Sequence, residues 1–302
     1  MSSTPKYAHR GFMLDTGRKY FPPSSILQLL DMMKIAGLNI FHWHIYDSQS
    51  FPIEWDFEGG KLTNAGCFKD TIGNNLIYTK ADIAQIISHA NKNGIDVIPE
   101  FEMPAHSDIF NLVYPEIMCC NPDPTSPEPS GQFNLINPET QKILSQFFMD
   151  TLPQFNSIYT HTGGDEVAFP PTDPNPLQSL TTFENTFIQN ILSTYGKTGI
   201  VWSDLLLDNG VNLSKKFILQ TWRNPKDVNA IIKAGYKTVI STSNVWYIGN
   251  ATPNKIKKYK FPISPLVLGA ELVWFTSPSD DPSDLSWLLP CMQAAGNKLI
   301  NG

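Results

Sequence analysis

A repeated alternation limits what this chain can fold into more than any other feature. Eight short apolar or aromatic runs read as strands: "YAHRGFMLD", "LNIFHWHIYD", "IDVIPEFEMP", "SIYTHTGGDE", "GIVWSD", "KFILQTWR", "YKTVISTSNVWY" and "LVLGAELVW". Between them, "SSILQLLDMMKIAG", "KADIAQIISHANKNG" and "PETQKILSQFFMDTL" carry apolar residues at helical spacing, and the first two stop at Gly, a favoured helix end. Alternating strands and helices imply a parallel sheet with right-handed crossovers, and eight such units close a (β/α)8 barrel. An open doubly wound sheet is the alternative, but no G-x-G-x-x-G follows the first strand to support its dinucleotide-binding form. The 302 residues suit a single barrel, which typically takes about 250. The expectation is therefore an α/β chain with one catalytic barrel domain over residues 1–302 and no separate N-terminal domain. The Pro-rich stretches 121–132 and 169–176 are expected to be long βα loops at the C-terminal face.

Composition removes several classes of function. A net charge of −6 with no basic run lacks the electrostatic footprint of a nucleic-acid binder. No stretch approaches the roughly 20 apolar residues of a membrane span, and "MSSTPKYAHRGF" has no apolar signal-peptide core. The triplets at Asn212 and Asn250 fit the N-glycosylation pattern and lean towards secretion. Cys67, Cys119, Cys120 and Cys291 lack C-x-x-C spacing, which argues against a zinc site.

The residues able to do chemistry gather at predicted strand ends, where barrel active sites sit. Arg10 follows strand one and Asp47 ends strand two; Glu100, Glu102 and His106 end strand three; His161, Asp165 and Glu166 end strand four. Trp202 and Asp204, Trp222 and Arg223, Trp246 and Tyr247, and Glu271 and Trp274 follow on strands five to eight. His42 and His44, on a strand that alternates faces, are read as interior structural residues, and Glu100, Glu102 and Glu271 as core and supporting groups. Tryptophans at separate strand ends, with Tyr247, suggest flat apolar walls bearing hydrogen-bond donors, the means by which a site holds a sugar ring.

The blocks "RGFMLDTGRKYFP", "NIFHWHIYDSQSFP", "GIDVIPEFEMPAHS", "HTGGDE", "VWSDLLLD", "NVWY" and "GAELVW" resemble, in the same order, those of glycoside hydrolase family 20, the β-N-acetylhexosaminidases. The resemblance implies a barrel that removes terminal β-linked N-acetylglucosamine or N-acetylgalactosamine from oligosaccharides or glycoconjugates with retention, using no metal and no organic cofactor. It implies Glu166 as general acid/base, Asp165 as the residue orienting the 2-acetamido group, and Tyr247 as the phenol on its oxygen. Trp202 and Trp222 would box the acetamido methyl, Trp274 would form the platform under the ring, and Arg10 would grip its hydroxyls. Asp47, His106 and His161 would support the acid. The substrate class favours a secreted or lysosome-like location. The chain departs from the family pattern at Gly249 and Thr276, where acids often hold the 4- and 6-hydroxyls, at Ser48 and Ala105, and in lacking the small preceding α/β domain.

Adjacent acids on a regular strand would point to opposite faces, whereas Gly163 and Gly164 permit a bend that brings both to one sugar. The expectation is a protonated Glu166, kept neutral by apolar surroundings and the charge of Asp165, beside an ionised Asp165. Two other readings compete. One is a non-catalytic N-acetylhexosamine-binding barrel; the other, prompted by "HWH", is a metal-dependent amidohydrolase.

Overall fold

The computed structural model describes residues 4–119 and 131–302. All eight expected strands form: β1 (His9–Asp15), β2 (Ile40–His44), β3 (Asp96–Met103), β4 (Tyr159–Gly163), β5 (Thr198–Trp202), β6 (Ile218–Thr221), β7 (Thr238–Ile240) and β8 (Val267–Trp274). Each pairs in parallel with its neighbours in sequence, and β1 pairs with β8, so the sheet closes into a (β/α)8 barrel. The helices between strands begin and end as the sequence suggests. Pro23–Ala36 stops at Gly37 with φ +75°, Lys80–Lys92 starts at Thr79 in a capping box with Asp82, and Pro138–Thr151 starts at Asn137.

The barrel interior is layered by strand parity. Ile40, Ile98, Ile200, Ile218 and Val239 form a small apolar cluster at the lower end. Two residues further along each strand the inward side chain becomes polar: His42 after Ile40, Glu100 after Ile98, Trp202 after Ile200 and Gln220 after Ile218. Outward-facing residues of the same strands, such as Phe12, Leu14, Phe41 and Trp43, pack into the large core beneath the helices. The interior thus changes from dry to charged as it rises towards the C-terminal mouth.

The Pro-rich stretch 121–132 lies outside the described residues except at its last two positions. Of the stretch 169–176, residues 169–175 run from β4 to the helix at Pro176–Thr182.

Candidate active site

The backbone after β4 turns sharply where the acids begin. Gly163 and Gly164 have φ of +67° and +90°, a region that glycine enters without steric cost, and Glu166 follows at +53°. Neither glycine has room for a side chain: a Cβ at 163 would collide with the Glu102 carboxylate, and one at 164 would lie 2.6 Å from Leu205 Cδ1. The bend brings two sequence neighbours to one point. Asp165 Oδ2 and Glu166 Oε2 lie 3.5 and 3.2 Å from the same nitrogen, His106 Nε2.

These residues face a cavity of about 280 Å³, close to the lower end of ligand pockets and of a size for one ring. Its aromatic walls are Trp202, Trp222, Tyr247 and Phe275, and Arg18 and Thr276 line it as well. Trp202 Nε1 donates to Glu100 Oε1 at 2.8 Å and Trp222 Nε1 to Asp204 Oδ2 at 2.8 Å, so each indole is fixed by a carboxylate behind it. Burial, with Asp165 nearby, raises the pKa of Asp204 to about 6. Tyr247 is pushed well above its usual range by burial and by Asp165, and stays a neutral phenol able to donate.

The structure relocates two expected residues. Arg10 sits near the start of β1, and its guanidinium donates to the carbonyls of Gly37 and Tyr7 at the opposite end of the barrel from the mouth. Arg18, in the turn after β1, occupies the pocket instead, donating from Nη1 to Asp15 at 3.0 Å and from Nη2 to Asp47 at 2.9 Å. Trp274 shares its outward parity with Leu272 and packs against Phe21 and Trp287, with ring centroids 5.3 and 5.2 Å away. The inward residue one step on, Phe275, lines the pocket. Asp47, His106 and His161 lie where support was expected. Asp47 contacts Arg18, His44 and His106, and His161 is 2.9 Å from Glu100 beneath Trp202.

Glu100 is the hub beneath the mouth. Its oxygens meet His44 at 2.7 Å, His161 at 2.9 Å and Trp202 at 2.8 Å, and His42 lies 3.0 Å away. Burial would raise its pKa, but the surrounding imidazoles hold it well below the usual carboxylate range. Conversely, although burial opposes it, Glu271 and Glu100 raise His42 to about 9, and Glu100 and Asp47 raise His44 to about 10. His42–Glu100–His161 and His44–Glu100–Glu102 have metal-like spacing. In His42 and His44 each ring nitrogen faces a carboxylate, so the carboxylates of these groups are already engaged with imidazoles.

The protonation of the acid pair runs opposite to expectation. Glu166 has its pKa lowered, first because it accepts a hydrogen bond from His106, and it remains 57% exposed. Asp165, only 15% exposed, has its pKa raised by burial, a shift that His106 partly offsets. His106 itself is held well above its usual value, against the pull of burial, by Asp165 and Asp47. The expectation places His106 in support of the acid but gives Glu166 apolar surroundings, whereas the His106 ring stands against both acids and sets their charge.

Fold and site together define a (β/α)8 barrel with paired acids and an aromatic pocket at the C-terminal strand ends, the place where barrel enzymes carry out their chemistry. The chain belongs to glycosyl hydrolase family 20: the family's catalytic domain matches residues 7–281. The alpha subunit of beta-hexosaminidase from Bos taurus is 32% identical over 285 residues, covering 87% of this chain and 52% of that protein. The chitobiase of Flavobacterium johnsoniae superposes with a TM-score of 0.81 at 26% identity, over 98% of this chain and 48% of that one. An exo beta-N-acetylglucosaminidase of Vibrio harveyi, solved with N-acetylglucosamine, shares the fold at TM-score 0.85 and 19% identity, over 99% of this chain and 55% of its own. The chain spans about half the length of these relatives.

Proposed function

We propose that this protein is a retaining exo-glycosidase that hydrolyses terminal β-linked N-acetylhexosamine from oligosaccharides or glycoconjugates, chitin-type chains among them, through participation of the substrate's own acetamido group. The observation that carries the reading is the acid arrangement. Asp165 and Glu166 converge on one side of the pocket at His106, and among the described residues no other carboxylate lines it. Retaining hydrolysis with an enzyme nucleophile needs two carboxylates about 5 Å apart on either side of the bond, and family 20 is an exception to that rule.

In the proposed reaction Glu166 protonates the leaving oxygen. A ring seated in the pocket would cover this half-exposed side chain, and the loss of water would raise its pKa towards the protonated form needed. Asp165 accepts the acetamido N–H, which favours its ionised form, and Tyr247 donates to the acetamido oxygen as that oxygen attacks the anomeric carbon. The C–O bond to the leaving group breaks, an oxazolinium forms, and water deprotonated by Glu166 opens it. Trp202 and Trp222 box the methyl group, Phe275 supplies apolar wall, and Arg18 bonds ring hydroxyls. Asp47, His106 and His161 hold the acid pair from below.

A non-catalytic sugar-binding barrel is the competing reading. It is favoured by Gly249, whose missing side chain leaves open space, and by Thr276, whose hydroxyl donates to the Asp15 carbonyl at 3.0 Å. Hydrolysis of aryl β-N-acetylglucosaminide and galactosaminide decides between them. Glu166→Gln is expected to lower kcat on chitobiose by about 10²–10⁴. Chitobiose binding without turnover by the unaltered protein would establish the lectin-like alternative.

A further inference from the structure

A basic surface that the proposed reaction does not use runs from one flank of the barrel, beside the segment that follows β7, to the end opposite the mouth. A groove of about 600 Å³ beside the helix Pro253–Lys258 is lined by Lys255, Lys258 and Lys260. It shares Lys260 and Phe261 with a second groove of about 890 Å³ that adds Lys6 and Lys298. That one meets at Leu268 a third, of about 300 Å³, lined by Lys197, Lys215, Lys216 and Lys237. Among the described residues no Asp or Glu lines any of the three, although the whole chain carries a net charge of −6. Between Asp227 and Glu271 the sequence has no acid at all.

Among the described residues no lysine of the three grooves forms an ion pair; Lys197, Lys215 and Lys255 donate to backbone carbonyls instead, which leaves their charge uncompensated. They come from six separate segments, of which only "NKIKKYK" at 254–260 is a basic run in the sequence. Unpaired like charges gathered on one face repel one another, and a polyanion would relieve that repulsion while releasing its counterions.

We propose that this basic surface binds a sulfated polysaccharide, anchoring the protein to an acidic glycan through the flank and lower end of the barrel. Three linked concavities fit a chain lying along them, whereas a flat bilayer would touch only their rims. Three of the four aromatic rings in the grooves are packed on one another, Tyr7 on Phe261 at 4.5 Å and Tyr259 on Phe261 at 5.0 Å, and the remaining Tyr159 gives no series of platforms for stacking successive nucleic-acid bases. Lysine ammoniums act as point charges that suit sulfates without demanding a fixed bidentate geometry.

The test is binding of dextran sulfate, compared with neutral dextran, a single-stranded oligonucleotide and phosphatidylserine vesicles, at 25 and 150 mM salt. Dextran sulfate is expected to bind most tightly, to weaken steeply with salt, and to lose about tenfold or more in affinity in each of the variants Lys258→Glu/Lys260→Glu and Lys216→Glu/Lys237→Glu. Both variants should keep the unaltered protein's melting temperature and its rate on the aryl substrate. Glu166→Gln should bind the polymer normally, so a failure of the hydrolysis reading would leave this one standing. No binding at 25 mM salt, preference for the oligonucleotide or the vesicles, or affinity unchanged by both charge reversals would overturn it.

Discussion

Replacing Gly164 by alanine tests whether the bend at the acid pair is imposed by the backbone. The residue sits at φ +90°, where a side chain costs about 1–2 kcal/mol. The new methyl would also lie 2.6 Å from Leu205 Cδ1 and 2.9 Å from its Cγ, an overpacking worth about 1–3 kcal/mol. Together these give a destabilisation of roughly 2–5 kcal/mol. With an unfolding entropy of about 2.1 cal/mol/K per residue over 302 residues, this corresponds to a fall in Tm of about 3–8 °C. Asp165 and Glu166 follow directly, and a displacement of about 1 Å there would lower kcat/KM by about 10²-fold. The double variant Gly164→Ala/Leu205→Ala separates the causes. It should recover the overpacking part as a favourable coupling of about 1–3 kcal/mol while the backbone part persists. A single variant with unchanged Tm and full activity on the aryl substrate would refute the reasoning, because the chain would then have another way to present both acids.

Three other outcomes follow from the geometry. Arg18→Lys should lower kcat/KM by at least about tenfold, the worth of a charged hydrogen bond, while Arg10→Lys changes it less than about twofold; the reverse order would restore Arg10 to the site. The profile of kcat/KM against pH should be a narrow bell on the acid side of neutrality, since the reaction needs Asp165 ionised and Glu166 protonated while the fold raises the first pKa and lowers the second. A profile flat through pH 8 would contradict this. Finally, Glu184 is buried in the π-helical turn Phe183–Ile188 with no hydrogen-bond partner for either oxygen among the described residues, and burial raises its pKa to about 8. The carboxyl is already ionised in the unfolded chain above about pH 4.5 but still neutral in the fold. Its contribution is therefore fully present below pH 4.5, and about 3 kcal/mol of stability is lost by pH 7. Unfolding of Glu184→Gln should show a shallower fall in stability over that range, and parallel curves would exclude the effect.

The barrel was legible because every strand and the helices singled out between them carried their own local signal, down to Gly37 as a helix stop. The acid pair was legible for a different reason, in that two glycines before two acids mark a backbone no regular strand can supply. The errors at Arg10 and Trp274 have a common physical origin, which is that a strand position specifies height and face as well as neighbourhood. Arg10 precedes Asp15 by five residues, about 17 Å at 3.3 Å per residue, and so cannot lie at the same end of the barrel. Trp274 is three residues from inward-facing Glu271 and must face out, whereas Phe275, four away, faces in. Parity counted from Glu271 could have found Phe275, and counting to the C-terminal end of β1 could have found Arg18. The protonation of the acid pair was not legible, because His106 reaches it from the β3 loop.

That last contact shows how the interior charge network is coupled to the pocket. Glu100 holds Trp202 directly and also holds His44, which bonds Asp47 at 2.8 Å; Asp47 in turn touches both Arg18 and His106. Every polar wall of the pocket except the Trp222–Asp204 pair and Tyr247 is therefore tied to one buried carboxylate or to its neighbours. Such a network is costly to bury and fixes orientation only while all its members are satisfied. Glu102 shows where the balance was reached. Buried beside Asp165, Glu100 and Asp47, it has its pKa raised well above the normal range, so it contributes a neutral carboxyl where a further negative charge would push Asp165 towards protonation. The dry isoleucine layer below keeps water from entering this network from beneath, and the ionisation of Asp165 is thereby left to His106 and to whatever donor the substrate brings.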